Sequence, residues 1–169
     1  MGRRQDEFEA IAMPHTRSLL RVARRLTPDP SLAEDLVQET MLLAWRSFDQ
    51  FRVGSNARAW LFRILLNAHY AKGRKVRAVP EVVPLHNDFP AADSASGRTL
   101  EVMQAFETLA EEHRVALLLG VVEGFTCKEM AEILSVPIGT VMSRLSRARQ
   151  ALRSRLEPAA PKCAGKGAS

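Results

Sequence analysis

The stretch 126–156, TCKEMAEILSVPIGTVMSRLSRARQALRSRL, constrains this chain more than any other. Thr126 and Glu129 have the spacing of a capping box, which predicts a helix start. Met130, Ala131, Ile133 and Leu134 supply its apolar positions. Ser135-Val136-Pro137 then breaks the helix. Proline suits the first turn of a new one, where its missing N–H has no intrahelical partner to lose. The second helix runs from about 137 toward 156. Ile138, Val141, Leu145, Ala148 and Leu152 form its packing stripe. Gly139, Met142, Ser143, Ser146, Arg147 and Gln150 lie on the other side. A capped helix, a tight turn and a second helix make a helix-turn-helix.

The second helix carries Arg144, Arg147, Arg149, Arg153 and Arg155 with no acid between 137 and 156. Arginines neutralise phosphates, and small polar residues let a helix approach base edges in a major groove. The plainer alternative is an arginine-rich solvated helix in an ordinary bundle.

With 169 residues there is room for one domain or two small ones. The net charge of +5 suits an anionic partner, and its distribution says more than its size. Residues 56–77 carry six bases and no acid, whereas 29–51 carry five acids against Arg46 alone. The chain therefore has two basic surfaces and one acidic element. Cys127 and Cys163 form no CxxC pair, as suits a reducing compartment. The first ten residues have no apolar core for a signal peptide, and no stretch approaches the length of a membrane span.

Along the chain, 6–26 reads as helical through Phe8, Ile11, Leu19, Val22, Ala23 and Leu26, with Pro14 kinking or restarting it. Asp29 or Ser31 can cap the next helix, to about 48. Its expected packing stripe is Leu32, Leu36, Leu43 and Ala44. The opposite side holds Asp35, Gln38, Leu42 and Trp45, covered either by a partner or by another helix of the same domain. Ser55 or Asn56 can cap a third helix with a core stripe of Ala57, Trp60, Leu61, Ile64, Leu65 and Ala68. Arg63, Asn67, Tyr70 and Arg74 form a second stripe suited to holding phosphates and stacking bases. Residues 78–97, with Pro80, Pro84 and Pro90, read as a mobile linker. Two helices, 99–109 and 111–122, follow. Met103, Phe106, Leu109, Val115, Leu118 and Leu119 supply core beneath the helix-turn-helix. The tail 157–169 reads as disordered.

The blocks DLVQETMLLAW (35–45), NARAWLFRILLN (56–67) and VPIGTVMSRLSRARQAL (136–152) resemble, in order and spacing, the three signature stretches of bacterial extracytoplasmic-function (ECF) sigma factors. The resemblance spans about 8–156. It implies an all-α chain of two small helical domains joined by a flexible linker: 1–77 for polymerase and minus-ten binding, 98–156 with the helix-turn-helix for minus-thirty-five binding. It implies polymerase contact at Asp35, Gln38, Glu39, Leu42 and Trp45. Melted minus-ten DNA would lie near Arg63, Asn67, Tyr70 and Arg74. The minus-thirty-five element would meet Thr140, Met142, Ser143, Arg144, Ser146 and Arg147. Many members carry Lys or Arg in place of Met142, which offers a base edge only apolar contact.

The implied partners are core RNA polymerase, promoter DNA and an inhibitory anti-sigma factor, with no cofactor, metal or small-molecule substrate, in the cytoplasm. The regulon expected of such a factor is a stress or envelope response. A stand-alone helix-turn-helix regulator is the alternative within DNA binding. An enzyme finds little support. The four histidines (His15, His69, His86 and His113) are scattered, and no phosphate loop or nucleophile elbow appears.

Overall fold

The computed structural model describes residues 2–77 and 97–157. The expected linker, apart from Gly97, and the expected tail beyond Glu157 lie outside the described residues. All regular structure described is helical.

Helix α1 (Gly2–Ala12) ends at a 3-10 turn, Met13–His15, and α2 (Thr16–Leu26) restarts beyond it. Pro14 sits in that turn, where it withdraws no bond from an α-helical ladder. Leu19, Val22, Ala23 and Leu26 are buried along one face of α2, while Arg17, Arg21, Arg24 and Arg25 point outward.

Asp29 caps α3 (Pro30–Arg46), its carboxylate accepting the Ser31 N–H at 2.7 Å. The buried face of α3 is Ala33, Leu36, Val37, Thr40 and Ala44. Leu32 and Leu43, expected in the core, are 48% and 37% exposed. The helix is rotated so that Ala33 and Ala44, both inaccessible, meet its neighbours. Small residues permit that close approach, and packing rather than leucine count sets the rotation. The Thr40 hydroxyl donates to the Leu36 carbonyl at 2.7 Å, so a buried polar group is satisfied within its own helix.

Between α3 and α4 (Ala57–Arg77), aromatic rings hold the loop. Phe8 meets Trp45 and Phe48 edge-on, each at 5.3 Å, Phe48 stacks on Phe51 at 6.0 Å, and Phe51 lies 4.6 Å from Trp60. These are the offset and edge-to-face arrangements that ring quadrupoles favour. Asn56 begins α4, its amide oxygen accepting the Ala59 N–H at 2.9 Å. Leu61, Leu65 and Ala68 are buried as the periodicity requires, but Ala59, Phe62 and Leu66 are buried too. Helix α4 is therefore covered on two sides, and the second cover is the C-terminal half of the chain.

That half consists of α5 (Gly97–Glu107), α6 (Glu111–Leu117), a π-helical turn Leu118–Val122, α7 (Cys127–Leu134) and α8 (Ile138–Leu156). Val115 to Leu119 is buried throughout. Gly124, at φ +70, turns the chain toward α7 in a region that only glycine enters freely. Gly120 permits close packing of a different kind. A methyl group there would stand 3.2 Å from the Met130 sulfur and 3.3 Å from Leu145 Cδ2. The two helices of the helix-turn-helix are thus seated directly on the π-helical turn.

The capping box forms in both directions. Thr126 Oγ1 accepts the Glu129 N–H at 3.2 Å, and the Glu129 carboxylate accepts the Thr126 N–H at 2.8 Å. Ser135 makes the turn in the left-handed conformation, φ 54. Pro137 stands at the N-cap of α8 rather than in its first turn, its carbonyl accepting from Thr140 and Val141. Val141, Leu145 and Ala148 are buried as expected. Ile138 is 49% exposed, because the first turn of α8 projects beyond the helices that cover the rest of its stripe.

Candidate nucleic-acid and polymerase interface

Three surfaces present the residues singled out by sequence. The first is the outer face of α3. Asp35, Gln38 and Leu42 are exposed there, Leu42 at 49%. Glu39 pairs with Lys72 of α4 at 2.7 Å. Trp45 is partly covered: Phe8 packs on one side of it and the Arg4 guanidinium lies 4.5 Å over its ring. For Trp45 the cover comes from α1 of the same unit. Trp45 keeps part of its surface open beside Leu42.

The second surface is the stripe Arg63, Asn67, Tyr70 and Arg74 on α4. The helical spacing brings the four to one side, and Arg63, Asn67 and Arg74 are exposed. Tyr70 is half-buried in an interhelical cleft with Ala110, Glu111, Glu112, Leu134, Val136 and Arg144. Burial, and then the negative charge of Glu111, pushes its phenol above the ordinary range. The hydroxyl is therefore a neutral donor at any physiological pH.

The third surface is α8. Met142, Ser143, Ser146 and Arg147 are exposed, with Met142 at 58%. Thr140 is half-buried. Arg144 is half-buried. It folds back toward Glu112, with 3.4 Å between guanidinium and carboxylate, and lines the same cleft as Tyr70.

A group of residues that no sequence pattern marked joins the two halves. The Glu123 side chain is wholly inaccessible and sits between two guanidiniums, Arg21 of α2 at 2.8 Å and Arg58 of α4 at 2.5 Å. Burial alone would raise its pKa, but the hydrogen bonds and charges of Arg21 and Arg58 outweigh it and hold the carboxyl below the usual range. Arg58 also donates to the Glu123 carbonyl at 2.7 Å and lies 4.3 Å over the Phe125 ring. Phe125 meets Phe62 edge-on at 5.2 Å. Asn56 donates to Glu129 at 2.8 Å, and His69 lies 2.6 Å from Glu111. Arg21 and Arg58 had counted only as members of basic faces. One clue was legible: Ala59, Phe62, Leu66 and His69 follow helical spacing on α4, outside the core stripe.

Comparison with known proteins places this architecture. The family described as Sigma-70 region 2 matches residues 11–78, and that described as Sigma-70, region 4 matches 99–152. The chain is similar to the ECF RNA polymerase sigma factor SigM of Mycobacterium tuberculosis, at 33% identity over 86% of this chain and 74% of the relative. It is 37% identical to the ECF RNA polymerase sigma factor EcfG of Rhodopseudomonas palustris over 82% of this chain and 79% of the relative. Among solved structures, the sigma factor RpoE of Bartonella quintana, in complex with the anti-sigma factor NepR, superposes with a TM-score of 0.78. That likeness is 34% in sequence and covers 89% of this chain and 96% of that one. CnrH, in complex with the cytosolic domain of CnrY, gives a TM-score of 0.68 at 26% identity, covering 90% of this chain and 88% of that one.

Two sigma-70 regions on one all-helical chain define a transcription initiation factor. The chain belongs to the ECF RNA polymerase sigma factors. Its function is that of the class: it binds core RNA polymerase, recognises promoter DNA and starts transcription. No helix among the described residues is long and apolar enough to cross a membrane.

Proposed function

We propose that this factor divides its tasks between two units, 1–77 and 98–156, and works in the cytoplasm. Polymerase docks on the outer face of α3 through Asp35, Gln38, Glu39, Leu42 and Trp45. Melted minus-ten DNA is held along Arg63, Asn67, Tyr70 and Arg74. The minus-thirty-five element is read by Met142, Ser143, Arg144, Ser146 and Arg147, with Thr140 at the start of the helix.

The observation that carries this assignment is the segregation of charge by surface. The open face of α3 bears a carboxylate, an amide and a leucine, whereas the open faces of α4 and α8 bear arginines beside small polar side chains. Each sign suits a different partner. Cations attract phosphates, and a carboxylate-bearing face excludes DNA while accepting a basic protein surface. Met142 adds an apolar contact suited to a thymine methyl. An anti-sigma factor as negative regulator is supported by the complex in which the sigma factor RpoE was solved with the anti-sigma factor NepR. The genes controlled belong to a stress or envelope response.

Gel filtration with bacterial core polymerase, followed by transcription from a candidate promoter, tests the reading. Co-elution with new promoter-specific transcripts supports it. Tight duplex binding by the chain alone, without co-elution, would instead make it a stand-alone regulator.

A further inference from the structure

We propose that the start of α8 reads methyl groups: Ile138 and Met142 rest against the C5 methyls of two successive thymines in the minus-thirty-five element, and Gly139 beside them lets the duplex come close. The proposal deepens the promoter-reading role given to α8 above and rests on it.

Ile138 and Met142 form an apolar edge with no cover. Ile138 is 49% exposed and Met142 58% exposed. Four residues apart, they stand about 40° from each other around the helix, so they share one edge of its open face. Single apolar residues scattered over a surface are ordinary. Two at i and i+4, on the end of a helix-turn-helix that enters a groove, form a continuous strip. Their β-carbons are about 5–6 Å apart at that spacing. Successive bases on one strand rise about 3.4 Å, and the twist of the duplex adds a sideways offset, so neighbouring methyls match the pair.

The chemistry of this end excludes most other base edges. Positions 138–143 carry no charged side chain. Arg144, the first cation, is turned toward Glu112 at 3.4 Å. Arg147 is exposed but lies about 140° around the helix from Met142. A bidentate arginine on guanine is therefore out of reach of this edge, which offers hydrocarbon and a thioether. In the major groove the partner that suits them is the thymine methyl. The polar atoms of a guanine or cytosine edge would be desolvated there without a hydrogen bond.

Gly139 adds an independent sign of close approach. It is exposed in the first turn of α8, and a Cβ built on it would meet nothing within 4 Å. Its backbone is not left-handed, unlike that of Gly54 and Gly124. Neither packing nor a turn within the protein calls for glycine here, and glycine weakens a helix relative to alanine. What it leaves is room outside the protein for a second backbone.

The test uses the full chain bound to bacterial core polymerase and a library of synthetic duplexes of random sequence. The retained minus-thirty-five element should contain two successive thymines on one strand. Replacing each thymine in turn by uracil removes the methyl alone. Affinity should fall about fourfold at each of the two, the worth of one buried methyl, and stay unchanged at the other thymines. Ile138→Ala should erase the thymine–uracil difference at one of the pair and Met142→Ala at the other. Both positions are exposed, so folding is unaffected. Gly139→Ala should keep or raise Tm in calorimetry while binding the selected duplex about tenfold more weakly. An enriched element without adjacent thymines, or one indifferent to uracil, would overturn methyl reading and leave the promoter role of α8 standing. Loss of polymerase association in the Ile138 and Met142 variants, with uracil still discriminated, would make the edge a protein contact and overturn it equally. Tight binding by Gly139→Ala would remove Gly139 from the site. If no duplex is enriched, the promoter role of α8 fails and methyl reading fails with it.

Discussion

Tyr70 of α4 and Arg144 of α8, seventy-four positions apart in sequence, line the same cleft between the two sigma regions. Each was expected on a separate DNA-facing surface, one for the minus-ten and one for the minus-thirty-five element. Their meeting is a tertiary relationship that neither helix carries by itself. It also sets apart Arg147, one turn along from Arg144, which remains open to solvent.

Arg147→Ala should therefore reduce minus-thirty-five-dependent transcription without disturbing polymerase binding. Losing one charged contact to DNA costs about 1–3 kcal/mol, or roughly tenfold in promoter affinity. Transcription assays beside co-elution with core polymerase separate the two effects. Equal loss of both would remove Arg147 from the DNA surface.

On α3, Asp35→Arg reverses a charge on the exposed face beside Gln38 and Leu42. Association with core polymerase should weaken by about tenfold, chiefly through slower encounter, and the loss should shrink at high salt. Surface plasmon resonance at two ionic strengths reads this. Unchanged association would exclude Asp35 from the docking face.

Replacing Thr126 by Ala removes the hydroxyl that accepts the Glu129 N–H, while the Thr126 N–H can still donate to the Glu129 carboxylate. The expected cost is about 1 kcal/mol. For a chain of this size that lowers Tm by about 3 °C. Thr126→Ser, which keeps the hydroxyl, should retain most of the stability. Differential scanning calorimetry distinguishes them.

Phe48→Ala breaks the aromatic chain between Phe8 and Phe51. Truncation of a buried phenylalanine costs about 3 kcal/mol or more. Denaturant unfolding should show that loss, and the loop before α4 should become the most readily proteolysed part of the described N-terminal unit.

Acid should weaken the contact between the halves. The Glu123 carboxyl is held below its ordinary value of 4.5 in the folded state, so the unfolded or opened chain takes up the proton first. The stabilisation is then complete above that ordinary value and is lost as pH falls through the lower folded value. His15, near Arg58, adds to acid sensitivity from a higher pH. Its imidazole is pushed below 6.5 by burial and then by the Arg58 charge, so it too protonates more readily once unfolded. Scattering radii measured from pH 7 to pH 3 should rise in the acid range for the wild type. Glu123→Gln, which has no carboxylate at that position, should lack the part due to Glu123.

The sequence by itself determined the helices, their caps and the helix-turn-helix. Those depend on residues within a few positions of one another: Thr126 with Glu129, Asp29 with Ser31, Asn56 with Ala59, Ser135 before Pro137. It also determined the family, because three separate blocks stand in the right order. The rotation of α3 was out of reach, since Leu32 and Ala33 differ by a hundred degrees on a helix and only the neighbouring helices decide which is buried. Tyr70, Trp45 and Arg144 were placed on the right helices, but what covers them comes from elements distant in the chain. Glu123 shows the limit most plainly. Its two partners lie 102 and 65 positions away, and nothing local marks a lone glutamate as the charge that two arginines will enclose. Short-range hydrogen bonds and hydrophobic period are written in adjacent residues, whereas an ion pair between halves exists only once the halves have met.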